Sequence, residues 1–186
     1  IKNAQRMLIS ENVFDGSWAD GQTGFALMIK VTNQGGKCTW CASADIIVRQ
    51  NIIRNVGAGF SIQGLEGGRP YPVGALLNRV LVEQNIVESV NVAPYSGEAR
   101  LISVMQNVQN LTIRSNTMSS TGSLMQYLNV ASVPAATNFA LQNNVFSYGT
   151  YGFFSSWYQQ GEANAQAFRG TIIFQNTVMV GAHQNH

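Results

Sequence analysis

Two cysteines, Cys38 and Cys41, stand three residues apart in the segment CTWC. A Cys-x-x-Cys pair can form a redox site, half of a zinc site or a short-range disulfide. Zinc needs two further ligands, and the only histidines, His183 and His186, come at the far end of the chain. A redox motif needs a helix N-terminus to lower the thiol pKa, whereas this pair follows Gly-Gly-Lys. The pattern favours a disulfide that closes a loop in an oxidising compartment.

Lysine and arginine residues occur singly rather than in clusters, and the formal net charge is only +2. This distribution does not favour nucleic acid as a partner. In a polysaccharide lyase, an Arg or Lys removes the proton next to a uronate carboxylate while a second cation neutralises that carboxylate. Lys30, Arg79 and Arg100 are the candidates for these two catalytic roles.

The nine carboxylates include one local cluster. Glycoside hydrolysis needs two carboxylates that face each other at a defined distance. Asp15 and Asp20 flank Trp18 in FDGSWADG, a bend whose composition suits calcium or a sugar. Calcium needs several oxygen ligands, and this segment supplies two carboxylates at most. We therefore expect no cofactor or metal site, with calcium near Asp15 and Asp20 as the one candidate to examine.

Aromatic side chains suited to stacking on sugar rings occur in three segments, of which YGTYGFFSSWYQQ is the densest. Exposed rings commonly bind sugar faces or cover a neighbouring subunit. The candidate sugar-binding residues are Trp18, Trp40, Tyr151, Trp157 and Tyr158. The alternative is that the rings of the dense segment fill the core and cover it as a lid.

A repeated element must position these residues, because asparagine recurs in one pattern along the whole chain. The asparagines of the pattern are Asn12, Asn51, Asn85, Asn116, Asn144 and Asn176. Successive members are separated by 39, 34, 31, 28 and 32 residues, and such periods are typical of repeat architectures. Residues five and three before and two after each asparagine are apolar, with Thr171 as the single exception. The alternation predicts a strand whose apolar side chains face inward.

Each asparagine is predicted to turn the chain, because Asn tolerates the left-handed conformation and its amide can bond nearby backbone. Coils stacked about 4.8 Å apart would let equivalent amides pair as a ladder. Further strands are predicted at 24–29, 59–63, 100–105, 124–130 and 151–157. The positions two before each asparagine should form an outward column: Ser10, Arg49, Glu83, Arg114, Gln142 and Phe174. Arg49, Glu83 and Arg114 are expected to form a surface charge ladder in it.

This order of strand, asparagine, two strands and loop resembles the right-handed parallel β-helix of the pectate-lyase-like superfamily. The first repeat, with ENVFDGSWADGQTGFALMI and NQGGKCTWC, is similar to bacterial secreted β-helix repeat proteins. The prediction is an all-β, single-stranded right-handed parallel β-helix, or solenoid, of about six coils with an Asn ladder. It covers residues 1–186 as one domain, which we expect to be part of a longer chain. The paired aspartates and Gly-His-Gly of polygalacturonases and the calcium-binding aspartates of pectate lyases are missing.

The resemblance implies an extracytoplasmic setting, and the chain contains no apolar run of 18 residues that could span a membrane. We expect a secreted or extracellular protein, at the cell surface or in the periplasm. The leading hypothesis is a scaffold or polysaccharide-binding module without a catalytic site in this segment. The alternatives are a polysaccharide lyase or glycoside hydrolase, and a structural subunit that stacks end to end with other β-helix segments.

Overall fold

A computed structural model describes residues 1–17, 23–64, 76–128, 134–155 and 166–181, with the backbone alone for 124–128. In these ranges the chain is all-β, and its strands form three parallel sheets. Each of the first five repeats places one strand in each sheet in turn, and the described part of the sixth adds strands to two of them. Residues about 30 places apart in the chain thereby become neighbours. The sheets are open, since the first and last strands of each pair on one side only. Within the described ranges, no helix has the length and hydropathy needed to cross a membrane.

The strands follow the order of the repeats in each sheet. The first sheet contains β1 (Gln5–Ser10), β4 (Ser43–Arg49), β7 (Leu77–Glu83), β10 (Val108–Arg114), β13 (Ala136–Gln142) and β16 (Phe168–Gln175). The second sheet contains β2 (Val13–Asp15), β5 (Ile52–Val56), β8 (Ile86–Val90), β11 (Thr117–Ser120), β14 (Val145–Ser147) and β17 (Val178–Val180). The third sheet contains β3 (Phe25–Lys30), β6 (Ala58–Gln63), β9 (Arg100–Met105), β12 (Ser123–Leu128) and β15 (Phe153–Ser155).

The inward apolar columns predicted from the repeat are confirmed for the first five repeats. One column of the first sheet is Met7, Ile46, Val80, Leu111 and Phe139, and the other is Ile9, Val48, Val82, Ile113 and Leu141. Most of these side chains are fully buried, and they pack against inward residues of the third sheet such as Phe60 and Ile102. The core therefore lies between the three sheets and extends through successive repeats.

The asparagine ladder is present from Asn12 to Asn144. In each step the side-chain oxygen accepts the backbone N–H and the side-chain amide of the asparagine one repeat earlier, at 2.9–3.1 Å. Asn51, Asn85 and Asn116 are at most 1% exposed. Their polar atoms are satisfied inside the molecule, as buried amides require.

The bend itself differs from the prediction in one respect. The left-handed residue is the one before each ladder asparagine, not the asparagine itself. These residues are Glu11, Gln50, Gln84, Ser115 and Asn143, with φ between 55° and 59°. The ladder position is occupied by Asn because its amide bonds to the adjacent repeats, while the preceding residue turns the backbone.

In the sixth repeat the predicted alignment is wrong by one residue. Strand β13 pairs with β16 with Phe139 next to Ile172 and Leu141 next to Phe174, after an irregularity near Gly170. Asn176 consequently adopts the left-handed position, with φ 48°, and donates to Asn143 at 3.2 Å instead of joining the ladder. The extra residue also explains why Thr171 breaks the apolar pattern and why the predicted outward residue, Phe174, lies in an inward column.

Candidate functional site

The outward side chains of the first sheet form three columns that run across its strands. The central column is largely apolar and consists of Leu8, Ile47, Leu81, Thr112, Ala140 and Ile173. One flanking column is Arg6, Asp45, Arg79, Asn110 and Asn138, and the other is Ser10, Arg49, Glu83, Arg114, Gln142 and Gln175. Over β4, β7 and β10 they enclose an open depression of about 450 Å³, which we call the groove.

The first edge of the groove consists of residues with left-handed backbone. Arg6, Asp45, Arg79, Asn110 and Asn138 have φ between 51° and 58°. In β4, β7, β10 and β13 the alternation of buried and outward residues is interrupted once, near the start of the strand. Two residues, rather than one, lie between the first and the second buried residue, and the one next to the second buried residue has the left-handed backbone. The kink costs roughly 1–2 kcal/mol per residue, and it aligns these side chains along one edge of the sheet.

Both edges of the groove carry an arginine held by a carboxylate on the neighbouring strand. On the first edge, Arg79 Nε and Nη2 donate to Asp45 Oδ1 and Oδ2 at 2.6 and 2.9 Å. On the second edge, Arg114 Nε and Nη2 lie 2.8 and 2.7 Å from Glu83 Oε2. Arg49, the other neighbour of Glu83, makes no ion pair within the described residues. The expected three-member charge ladder therefore forms only between Glu83 and Arg114.

The paired groups of the first edge have shifted pKa values. The hydrogen bonds from Arg79 hold the pKa of the Asp45 carboxyl below its usual range, and the charges of Arg79 and Arg6 add smaller attractions. The same hydrogen bonds raise the pKa of the Arg79 guanidinium. Both groups therefore stay charged around neutral pH, and Arg79 holds its proton more firmly than a free arginine does.

We expect the Asp45–Arg79 pair to make stability depend on pH in acid. The folded-state pKa of Asp45 lies below its unfolded value of about 3.9, so the stabilisation is complete above that value and is lost as the pH falls through the folded pKa. Urea midpoints of the wild type and Asp45→Asn, measured from about pH 2 to pH 6, should converge at the acid end. The difference near pH 6 should shrink in about 1 M salt, because the pair is exposed. Parallel curves across the whole range would contradict this prediction.

A row of surface amides continues the first edge. Asn110 Nδ2 donates to Asn78 Oδ1 at 2.8 Å, and Asn138 Nδ2 donates to Asn110 Oδ1 at 3.0 Å. The row ends where the Thr171 backbone N–H donates to Asn138 Oδ1 at 2.9 Å. Each amide offers both donors and acceptors, so this edge presents polar groups at the rung spacing of about 4.8 Å.

Of the three predicted catalytic residues, only Arg79 lies in the groove. Lys30 ends β3 and Arg100 begins β9, both in the third sheet. The register places them two strands and five residues apart, or about 19 Å. The three residues do not converge on one site.

Arg100 belongs to a second surface cluster, on the third sheet. It forms an ion pair with Glu98, and its guanidinium lies 5.8 Å from the centroid of the Phe154 ring. Partial burial lowers the pKa of Arg100. The predicted sugar-binding residue Tyr151 is 58% exposed and lies 5.8 Å from the same ring. Phe154 thus connects two predicted site residues, although it was not a predicted site residue itself.

The predicted disulfide between Cys38 and Cys41 is confirmed. It closes the loop after β3, with Trp40 between the two cysteines and 78% exposed. Trp40 therefore has the exposure expected of a sugar-binding ring, but it is not among the residues that line the groove.

Asp15, one of the two carboxylates of the calcium candidate, is hydrogen-bonded to neighbouring side chains through both of its oxygens. Its Oδ2 accepts from Arg54 Nε at 2.9 Å and its Oδ1 accepts from Asn55 Nδ2 at 2.7 Å. The bond from Asn55, followed by that from Arg54, lowers the pKa of Asp15. Among the described residues, no three His, Cys, Asp or Glu side chains cluster as metal ligands do.

Several predicted residues lie outside the described ranges. They are Trp18, Asp20, Trp157, Tyr158, His183 and His186.

Sequence analysis missed Asp45 and Asn110 as groove residues. A usable signal exists, because the position six before each ladder asparagine is polar in the first five repeats: Arg6, Asp45, Arg79, Asn110 and Asn138. The shared left-handed backbone at this position could not be recognised from residue type, since arginine rarely adopts it.

No protein-family model matches the chain, and no significant similarity to a curated protein or to a solved structure was found.

Proposed function

We propose that the three parallel sheets wind as a single right-handed parallel β-helix of about six coils. The chain then serves as an extracellular polysaccharide-binding module, with the groove of the first sheet as its contact surface. The disulfide between Cys38 and Cys41 supports an oxidising setting, because such bonds persist mainly outside the reducing cytosol.

The observation that carries the binding function is that both groove arginines are held in place by carboxylates. Asp45 holds Arg79, and Glu83 holds Arg114. The two arginines lie on opposite sides of the largely apolar central column, at the level of Leu81. Preorganised polar groups bind a ligand with less loss of side-chain freedom. A sugar chain has apolar C–H faces and hydroxyl edges, so it can lie on the central column and hydrogen-bond to both edges of the groove.

The same pairing favours binding over cleavage. A lyase base must give up its own proton before it can accept one from the substrate, and the raised pKa of Arg79 opposes that loss. A hydrolase needs a carboxylic acid that remains protonated, whereas the pKa of Asp45 is lowered. Lys30 and Arg100 lie on another sheet and cannot complete a site around Arg79.

The test is a panel of neutral and anionic polysaccharides, with binding measured by affinity electrophoresis and cleavage by unsaturated-product absorbance and reducing ends. The groove variant Asp45→Asn/Arg79→Gln should weaken binding about tenfold or more, as expected when hydrogen bonds to charged groups are lost. The matched control is Asp15→Asn/Arg54→Gln, which removes a similar exposed Asp–Arg pair from the second sheet and should change affinity less than about twofold. Equal loss in both variants, no binding to any polymer, or product formation by the wild type would refute the proposal.

A further inference from the structure

The second sheet carries an exposed row of β-branched side chains that the groove does not involve. We call it the aliphatic stripe, and it consists of Val13, Ile52, Ile86, Thr117, Val145 and Val178. The strand register makes each of them the neighbour of the next. Five of them are 37–59% exposed, and Thr117 is exposed as well. The stripe is about 24 Å long at 4.8 Å per rung.

Polar residues flank the stripe on both sides, with an uneven distribution of charge. The upstream flank, two residues before the stripe, is Glu11, Gln50, Gln84, Ser115, Asn143 and Asn176. The downstream flank, two residues after it, is Asp15, Arg54, Glu88, Ser119, Ser147 and Val180. Every charged group on the two flanks belongs to the first three repeats, while the last three repeats contribute amides, hydroxyls and one valine.

We infer that the aliphatic stripe is the contact surface for a second copy of this chain, packed face to face with antiparallel coils. A continuous exposed apolar row on a soluble fold commonly marks an interaction site. The stripe is built from β-branched side chains at equal spacing, so each rung of one copy can meet a rung of an identical stripe along its whole length. The charges on the flanks then decide the orientation of the second copy.

Only the antiparallel orientation avoids contact between like charges. If the coils of the two copies ran in the same direction, a two-fold axis would place Glu11 of each copy opposite Asp15 of the other. With antiparallel coils, Glu11 opposes Asn176 and Glu88 opposes Ser119. Like charges directly opposite each other destabilise a contact, whereas carboxylates accept hydrogen bonds from amides and hydroxyls.

Most of the remaining flank pairs of the antiparallel arrangement are also complementary. Gln50 opposes Asn143 and Gln84 opposes Ser115, and each of these pairs contains a donor and an acceptor. Because most flank groups find suitable partners on the same surface of another copy, a second copy fits this face better than an unrelated protein. The contact covers about 24 by 13 Å on each chain, well below a standard interface, so we expect a weak, concentration-dependent dimer.

Sedimentation velocity over a concentration series measures this association. The wild type should shift from monomer towards dimer as concentration rises, and Ile86→Lys should weaken the association at least tenfold with an unchanged circular dichroism spectrum. The matched control is Met28→Lys, at an outward position of the third sheet that is 41% exposed, and it should dimerise like the wild type. A wild type that stays monomeric, or an Ile86→Lys variant that dimerises normally, overturns the inference.

Cysteine cross-linking tests the orientation without relying on a disruptive variant. Ile52 opposes Val145 of the second copy in the antiparallel arrangement, while the two residues are three rungs, about 14 Å, apart within one chain. The Ile52→Cys/Val145→Cys variant should therefore form disulfide-linked dimers on mild oxidation, and Ile52→Cys alone should not. Equal cross-linking of the single variant would indicate parallel coils and overturn the proposed orientation.

Discussion

An Asn85→Ala variant should lose about 3–5 kcal/mol of unfolding free energy, the largest effect expected from a single amide in this protein. The Asn85 oxygen accepts the backbone N–H of Asn51 at 3.1 Å and its side-chain amide at 2.9 Å. The Asn85 amide donates to Val48, Glu83 and Asn116. Alanine would leave the buried backbone N–H of Asn51 without its acceptor, while the Asn51 side-chain amide keeps only the Ile9 and Arg49 carbonyls. The Val48 and Glu83 carbonyls and the Asn116 oxygen would each lose a donor, and such losses cost more in a buried site than at the surface.

The measurement is urea or thermal unfolding followed by far-ultraviolet circular dichroism, in which Tm should fall by about 10 °C. Asn12→Ala is the matched control, because Asn12 occupies the same ladder but is exposed and bonds to one neighbouring repeat only. It should cost about 1 kcal/mol, since water can replace the lost partner. Similar losses in the two variants would show that the buried ladder contributes no more than ordinary surface hydrogen bonds.

A Phe139→Ala variant should also lose about 3–5 kcal/mol. Phe139 is 1% exposed, and its ring stacks on Phe168 with centroids 4.5 Å apart and planes within 1°. The Phe174 ring meets it edge-on at 5.7 Å. Removing the ring would open a cavity between β13 and β16, and the backbone hydrogen bonds of the parallel sheet limit how far the walls can collapse.

Chemical denaturation of Phe139→Ala, Phe139→Leu and Tyr151→Ala would test this cavity effect. The leucine variant should lose less stability because it refills part of the space. Tyr151→Ala removes an aromatic ring that is 58% exposed and should cost under about 1 kcal/mol. A Phe139→Ala protein as stable as Tyr151→Ala would place Phe139 outside a close-packed core.

The inward columns are predictable because they depend on local properties of the chain. One face of each strand is buried, so apolar and polar residues alternate along it. This period of two is visible within a single repeat. The ladder asparagine then aligns one repeat with the next. For this reason residue spacing alone matches Val48, Val82 and Ile113 as neighbours on adjacent strands.

The sixth repeat shows where such alignment fails. Asn176 follows an apolar strand as the other asparagines do, yet an extra residue near Gly170 moves it to the left-handed position. A one-residue shift exchanges the two faces of a strand, so Phe174 lies inward instead of outward. The sequence carries two signs of the shift: Thr171 stands where an apolar residue is expected, and Phe174 is the one apolar residue in an otherwise polar column.

The all-β class, the repeat, the inward columns, the buried ladder and the disulfide are readable from the residues alone, because each shows in residue type or spacing. The pairing of outward groups, such as Asp45 with Arg79 and Glu83 with Arg114, becomes known from the folded arrangement of the strands. Polar residues recur at the flanking outward positions, but the sign of their charge and the length of their side chains do not, so the residue types do not show which groups pair. Their contacts form between strands about 4.8 Å apart in space but more than 30 residues apart in the chain.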